Sequence, residues 1–194
     1  MSQKTTKTSA NVRILAESAM MIALAFVLSF ITYSGTWLQG GSVSLEMIPI
    51  VIMGLRRGAK WGAATGFVFG VIQLMMGFSN VMYCPTIATQ IGCIMLDYLV
   101  AFTVLGLARP AAKLFGGKTF GAAAGCVTAG IMRFLCHFVS GMWLWGEYAP
   151  EGQPVWLYSL TYNGTYMLVN TILAAAAVVL LCKTAAKYII PENV

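Results

Sequence analysis

Long apolar runs, rich in Ala, Leu, Met and Val, follow one another along this chain with only short polar breaks between them. None shows the period-2 alternation of a barrel strand. Charged residues make up 9% of the chain, against roughly 25% in a soluble domain, and mean hydropathy is +0.79. A chain so poor in charge cannot cover a water-facing surface, so its solvent is lipid. In lipid every backbone amide needs an internal partner, which leaves helix bundles or closed barrels, and the continuous runs select helices. The expectation is an all-α, polytopic membrane protein forming a single membrane domain over residues 1–194.

One helical span takes about 20 residues. Six fit, over residues 12–33, 44–56, 60–79, 86–108, 119–146 and 155–182, behind a polar tail at residues 1–11. The first run is too long for a signal peptide and reads as a transmembrane helix. Turn-forming residues mark the gaps: Ser34-Gly35, Gly40-Gly41, Arg56-Arg57-Gly58, Pro85, Arg109-Pro110, Gly116-Gly117, and Pro150 to Pro154. The second span is short, which fits a half-helix dipping from one face or a helix with snorkelling ends.

Six spans put alternate connections on opposite sides. One side then receives Lys4, Lys7, Arg13, Arg56, Arg57, Lys60, Arg109, Lys113, Lys118, Lys183 and Lys187. The opposite loops, 34–43, 80–85 and 147–154, hold no Lys or Arg. The positive-inside rule therefore places both termini in the cytoplasm. Cys84, Cys93, Cys126, Cys136 and Cys182 show no CxxC spacing and read as reduced, structural thiols in apolar surroundings.

Arg133, the remaining cation, falls inside the fifth span, where an ionisable group is expensive and marks a functional site by default. Arg133, His137, Gly141 and Trp145 recur every four residues and share one helix face, with Trp143 and Tyr148 nearby. The bland reading is a packing face with a satisfied histidine. Asp97 lies mid-span, followed by Tyr98; either Arg133 neutralises it or a ligand bonds to it. Glu46 opens the second span, as a first-turn acid favourable to the helix dipole or as a second carboxylate at an outward-facing pocket. Glu17 reads as a partner of Arg13 at i, i+4. The last span carries Tyr158, Tyr162, Asn163, Tyr166 and Asn170; Trp156 and Tyr158 also fit an interfacial aromatic belt. Trp37, in the Gly-rich loop 33–41, is an interfacial anchor or the tip of a lid.

Carboxylates among aromatic faces suit a planar, cationic, hydrogen-bonding ligand. A relaxed phosphate-loop match at residues 112–119 has Ala112 in place of the first glycine and lies between two membrane helices, the wrong setting for that motif. With one His there is no metal-ligand cluster, and no nucleophile–base pair is visible, so no catalytic residue, metal or cofactor is expected, and no nucleic-acid partner. A pocket without an engine implies partners that supply energy.

Three segments carry a more specific likeness: Leu45-Glu46-Met47-Ile48-Pro49-Ile50-Val51 with Leu55-Arg56-Arg57-Gly58; Arg133-Phe134-Leu135-Cys136-His137-Phe138 with Gly141 and Trp145-Gly146-Glu147-Tyr148-Ala149-Pro150; and Tyr158-Ser159-Leu160 with Asn163-Gly164. In these the chain resembles the thiamine-specific S component of energy-coupling factor transporters, over residues 12–182. The resemblance implies a prokaryotic plasma-membrane protein that binds thiamine and is not an enzyme. It implies that Asp97 and Tyr98 hold the aminopyrimidine, with Tyr158 and Asn163 also on the pyrimidine side. His137 and Trp145 would surround the thiazolium, Trp37 would close over the ligand, and Glu46 would be the second acid. At position 97 the family is expected to carry Glu, and this chain has Asp. Ala19 and Ala23, four apart on the first helix, are implied to dock a transmembrane coupling subunit that joins two ATPases; close packing inside the bundle is the plainer alternative. Rival readings are an S component for riboflavin or hydroxymethylpyrimidine, a small membrane enzyme with His137 as base and Asp97 as acid, and a structural subunit in which Arg133 and Asp97 pair.

Overall fold

A computed structural model describes residues 2–35, 37, 41–116 and 119–190, the first seven of these by backbone alone. Of the sequence landmarks, Thr36, Leu38, Gln39, Gly40, Gly117 and Lys118 lie outside the described residues, as do the side chains of Lys4 and Lys7. The described chain is helical apart from one small hairpin. It runs α1 (Ser2–Ser29), β1 (Thr32–Tyr33), β2 (Val43–Ser44), α2 (Met47–Arg57), α3 (Ala59–Met76), α4 (Phe78–Met82), α5 (Ile87–Cys93), a π-helical turn (Ile94–Leu99), α6 (Val100–Thr103), a 3-10 turn (Val104–Leu107), α7 (Ala108–Leu114), α8 (Thr119–Trp143), a 3-10 turn (Gly146–Tyr148) and α9 (Val155–Ile189).

Among the described residues, four segments are long and apolar enough to cross a membrane: Ser9–Ser29, Ile87–Leu114, Thr119–Trp143 and Val155–Ile189. The protein is an all-α membrane protein. The 11 residues of α2 rise about 16 Å, roughly half a hydrocarbon core, and nearly all are buried, from Met47 through Leu55. The helix ends at Gly58, whose φ of 87° favours glycine and whose N–H returns to the Gly54 carbonyl.

The chain does not break at Arg109-Pro110. Val104–Leu107 tightens into a 3-10 turn and α7 restarts at Ala108, so Pro110 falls in a first turn, where the missing N–H costs nothing. The first helix stops at Ser29, and Thr32 and Tyr33 pair antiparallel with Ser44 and Val43. That hairpin brings the two ends of the segment carrying Trp37 together.

Small residues let the backbones approach, as membrane packing requires. A Cβ on Gly106 would lie 2.0 Å from the Ala63 nitrogen, and one on Gly62 would lie 2.4 Å from the Gly54 Cα. The core between these crossings holds Met47, Ile50, Val51, Leu55, Phe69, Phe102 and Leu105, with the Phe69 and Phe102 rings edge to face at 5.0 Å.

Charged groups gather at one end of the bundle. Glu17 pairs with Arg56 and Arg57 at the end of α2, with Arg57 Nε 2.9 Å from its carboxylate, rather than with Arg13. The reason is reach: the α2 terminus brings two guanidinium groups to the buried face of α1, while Arg13 lies on its exposed face. Arg56 also donates to the Tyr188 carbonyl near the end of α9. Arg109 donates to the Leu55 and Arg56 carbonyls at 3.2 Å each, capping acceptors that a helix terminus leaves open. Arg56, Arg57 and Arg109, from two of the basic connections, are thereby brought together at one end with Glu17 of α1.

Candidate ligand-binding site

A cavity of about 610 Å³ lies between α2, α3, the π-helical turn, α8, α9 and the hairpin loop. Trp37, Glu46, Asp97, Tyr98, Arg133, His137, Gly141, Trp145, Tyr158 and Asn163 line it, with Tyr162 and Tyr166, whereas Trp143, Tyr148, Trp156 and Asn170 do not.

Asp97 sits in the π-helical turn Ile94–Leu99, a local widening that often accompanies functional positions. Its carboxylate accepts from Ser140 Oγ at 2.7 Å and Trp145 Nε1 at 3.2 Å on one oxygen, and faces His137 Nδ1 at 3.1 Å on the other. Arg133 does not neutralise it. The guanidinium instead meets Glu46, Nη2 to Oε1 at 3.1 Å, with both side chains about nine-tenths buried. Gln73 donates to the other Glu46 oxygen. Glu46 is therefore more than a first-turn acid: it joins α2, α3 and α8 through one carboxylate. Arg133 Nε also points at His137 Nε2, 3.4 Å away, and its guanidinium carbon lies 4.0 Å from the Phe102 ring centroid. The result is one chain of polar contacts from Gln73 through Glu46, Arg133 and His137 to Asp97.

Apart from His137, the described lining carries two carboxylates and one guanidinium, a net charge of −1. Around them stand aromatic rings. Tyr158, Tyr162 and Tyr166 recur every four residues on α9, with neighbouring centroids 5.6 and 6.1 Å apart. Tyr166 also meets Trp37 at 6.0 Å and His137 at 6.1 Å. Tyr158 is buried in the cavity wall rather than set on an outer belt, whereas Trp156 is more than half exposed. Tyr98 donates to the Gly77 carbonyl and accepts from Asn80. Asn163 donates to the His137 carbonyl and accepts from the Tyr166 hydroxyl at 2.8 Å. Gly141 does not leave spare room: a Cβ there would lie 2.3 Å from Ser159 Oγ and 2.6 Å from Asn163 Nδ2. Its role is to let α8 and α9 touch.

The hairpin loop is fastened to α9 at successive turns. Trp37 Nε1 donates to Thr165 Oγ1 at 2.9 Å, and the Gly41 N–H donates to the Tyr162 hydroxyl. Asn170 both accepts from the Ser44 N–H and donates to the Ser42 carbonyl, each at 2.8 Å. The sequence had marked Asn170 only as one of the polar residues carried by the last span.

Gln73, Asn80, Phe102 and Ser140 were missed by sequence reasoning. Gln73 had a usable signal, since an amide in the apolar run of α3 is as conspicuous as Asp97. Ser140 lies three residues after His137, on the same face. Phe102 had no signal, because one more phenylalanine in an apolar run is unremarkable. Ala19 and Ala23 lie on the exposed face of α1, away from the bundle interior, which removes the close-packing alternative for them within this chain.

A family model described as Thiamine transporter protein (Thia_YuaJ) matches residues 15–190. The thiamine transporter ThiT of Bacillus subtilis (strain 168) is 37% identical over 183 residues, spanning 88% of this chain and 91% of its own. ThiT of Lacticaseibacillus paracasei is 30% identical over 190 residues, spanning 93% and 92%. A solved structure of ThiT from Listeria monocytogenes superposes with a TM-score of 0.76 at 26% identity, covering 94% of this chain and all of that one.

Proposed function

This chain belongs to the thiamine transporter protein family, and on that premise we propose that it captures thiamine from outside the cell in the cavity around Asp97. It is a multi-pass protein of the prokaryotic plasma membrane, and its family is one of transporters rather than enzymes. The observation that carries the ligand reading is the match of charge and shape. Thiamine bears one permanent positive charge on a flat thiazolium ring and a second flat ring with an amino group. The cavity offers a net charge of −1, a carboxylate at Asp97, and the faces of Trp37, Trp145, His137 and three tyrosines. Charge-assisted bonds and cation–π contacts are strongest in such a desolvated site.

In this reading Asp97 and Tyr98 take the aminopyrimidine, and the aromatic faces near His137 and Trp145 take the thiazolium. Trp37 closes over the ligand from a loop latched to α9. Six spans carry the chain across the membrane with both termini in the cytoplasm. The gathering of Glu17, Arg56, Arg57 and Arg109 at one end of the bundle, away from the cavity lining, supports that orientation.

Delivery inward is assigned to an energy-coupling factor module, a transmembrane coupling subunit with two ATPases, docked on α1. The support is the exposed small-residue face at Ala19 and Ala23, which admits a close helix approach. Reconstituted with such a module, the protein is expected to accumulate thiamine in vesicles only with ATP. Ala19→Trp, which fills the docking face and lies outside the cavity, should abolish accumulation and leave thiamine affinity unchanged. Uphill uptake by the chain alone would overturn the coupling part of the proposal.

A further inference from the structure

We propose that Arg133 is a positioning residue that selects one tautomer of His137, so that the imidazole offers a ligand only its ring face. The functional consequence rests on the cation-binding reading above; the tautomer itself does not.

A guanidinium has only donors. Arg133 Nε–H is directed at His137 Nε2 at 3.4 Å, so that nitrogen supplies a lone pair. The ring proton then resides on Nδ1, which faces the Asp97 Oδ1 acceptor at 3.1 Å. The opposite tautomer would set N–H against N–H at one end and a lone pair against a carboxylate at the other. His137 is faced by Arg133 from its own helix, by Asp97 from the π-helical turn, and by the Tyr166 ring from α9; Glu46 reaches it through Arg133. The arginine is itself held by Glu46 and by the Phe102 ring beneath it. With both ring nitrogens engaged, His137 has neither a free acceptor nor a free donor. It is a flat platform, and it fixes one Asp97 oxygen while Ser140 and Trp145 fix the other.

The chain contains one histidine, so ¹⁵N-histidine NMR of the full-length, detergent-solubilised protein reads this residue alone, without ligand. The expected spectrum has a pyrrole-type Nδ1 and a pyridine-type Nε2 at neutral pH. The reverse assignment, or two averaged shifts, would overturn the proposal. Two variants test the arginine's part. Glu46→Gln with Arg133→Met removes one charge of each sign and keeps the cavity's net charge. Arg133→Lys keeps the cation for Glu46 but has no Nε–H. Both leave Asp97 alone to hold the ring proton, so both should move the Nδ1 and Nε2 shifts toward each other relative to the wild type and raise the thiamine Kd about tenfold, the scale seen when outer partners of metal-ligating histidines are removed. An unchanged wild-type spectrum in either folded variant would show that Arg133 is not the selector. Absence of thiamine binding with the expected tautomer intact would count against the ligand reading instead.

Discussion

Asp97→Asn is expected to weaken thiamine binding about 100-fold, or about 2.8 kcal/mol, measured by calorimetric titration of the purified protein. The amide keeps the size of the side chain and one acceptor oxygen, so Ser140 and Trp145 retain a partner. What is lost is the charge, together with the acceptor that faces the His137 Nδ1–H. The lining then sums to zero, with Glu46 cancelled by Arg133, and a permanent cation enters a desolvated cavity without a counter-charge. Hydrogen bonds to a charged group contribute about 1.5–3 kcal/mol, and the lost Coulomb attraction adds to that. Asp97→Glu restores the charge on a longer arm and should stay within about tenfold of the wild type. Equal affinity for the Asn variant and the wild type would mean that the carboxylate is not the ligand's counter-charge.

The largest expected effect on stability belongs to Glu46→Ala. It leaves the buried Arg133 guanidinium without its carboxylate and the Gln73 amide without its acceptor. Removing one partner of a buried ion pair costs about 3–5 kcal/mol, because the remaining charge stays desolvated. Thermal unfolding in detergent should show a large fall in Tm. Replacing both partners, Glu46→Gln with Arg133→Met, should recover most of it, since no unpaired charge remains. If the single and double variants melted together, the pair would be a bystander.

Much of this site could be read from residue types alone, for one physical reason. In lipid a polar side chain is costly, so Asp97, Arg133, His137 and Asn163 stand out against their surroundings. The four-residue spacing of Arg133, His137, Gly141 and Trp145 placed them on one face, and that face lines the cavity. Pairing was not legible. Arg133 was weighed against Asp97, yet it meets Glu46; Glu17 was given to Arg13, yet it meets Arg56 and Arg57. Helical spacing ranks neighbours within a helix, whereas these partners come from other helices whose rotation and depth depend on the glycine crossings at Gly54, Gly62 and Gly106. Local backbone departures were equally hidden. The π-helical turn at Asp97, the 3-10 turn before Pro110 and the two-residue strands of the hairpin answer to tertiary packing rather than to propensity. Residues that serve the site through ordinary side chains, Phe102 beneath Arg133 and Ser140 on Asp97, carry no compositional mark.

The central claim is that this aromatic, singly negative cavity binds thiamine. Intrinsic tryptophan fluorescence of the detergent-purified protein tests it most directly, because Trp37 and Trp145 both line the cavity. Thiamine should quench emission saturably at one equivalent, and Trp37→Phe and Trp145→Phe should each remove part of the response. No quench with thiamine, alongside a saturable one with riboflavin or a neutral pyrimidine, would contradict the account.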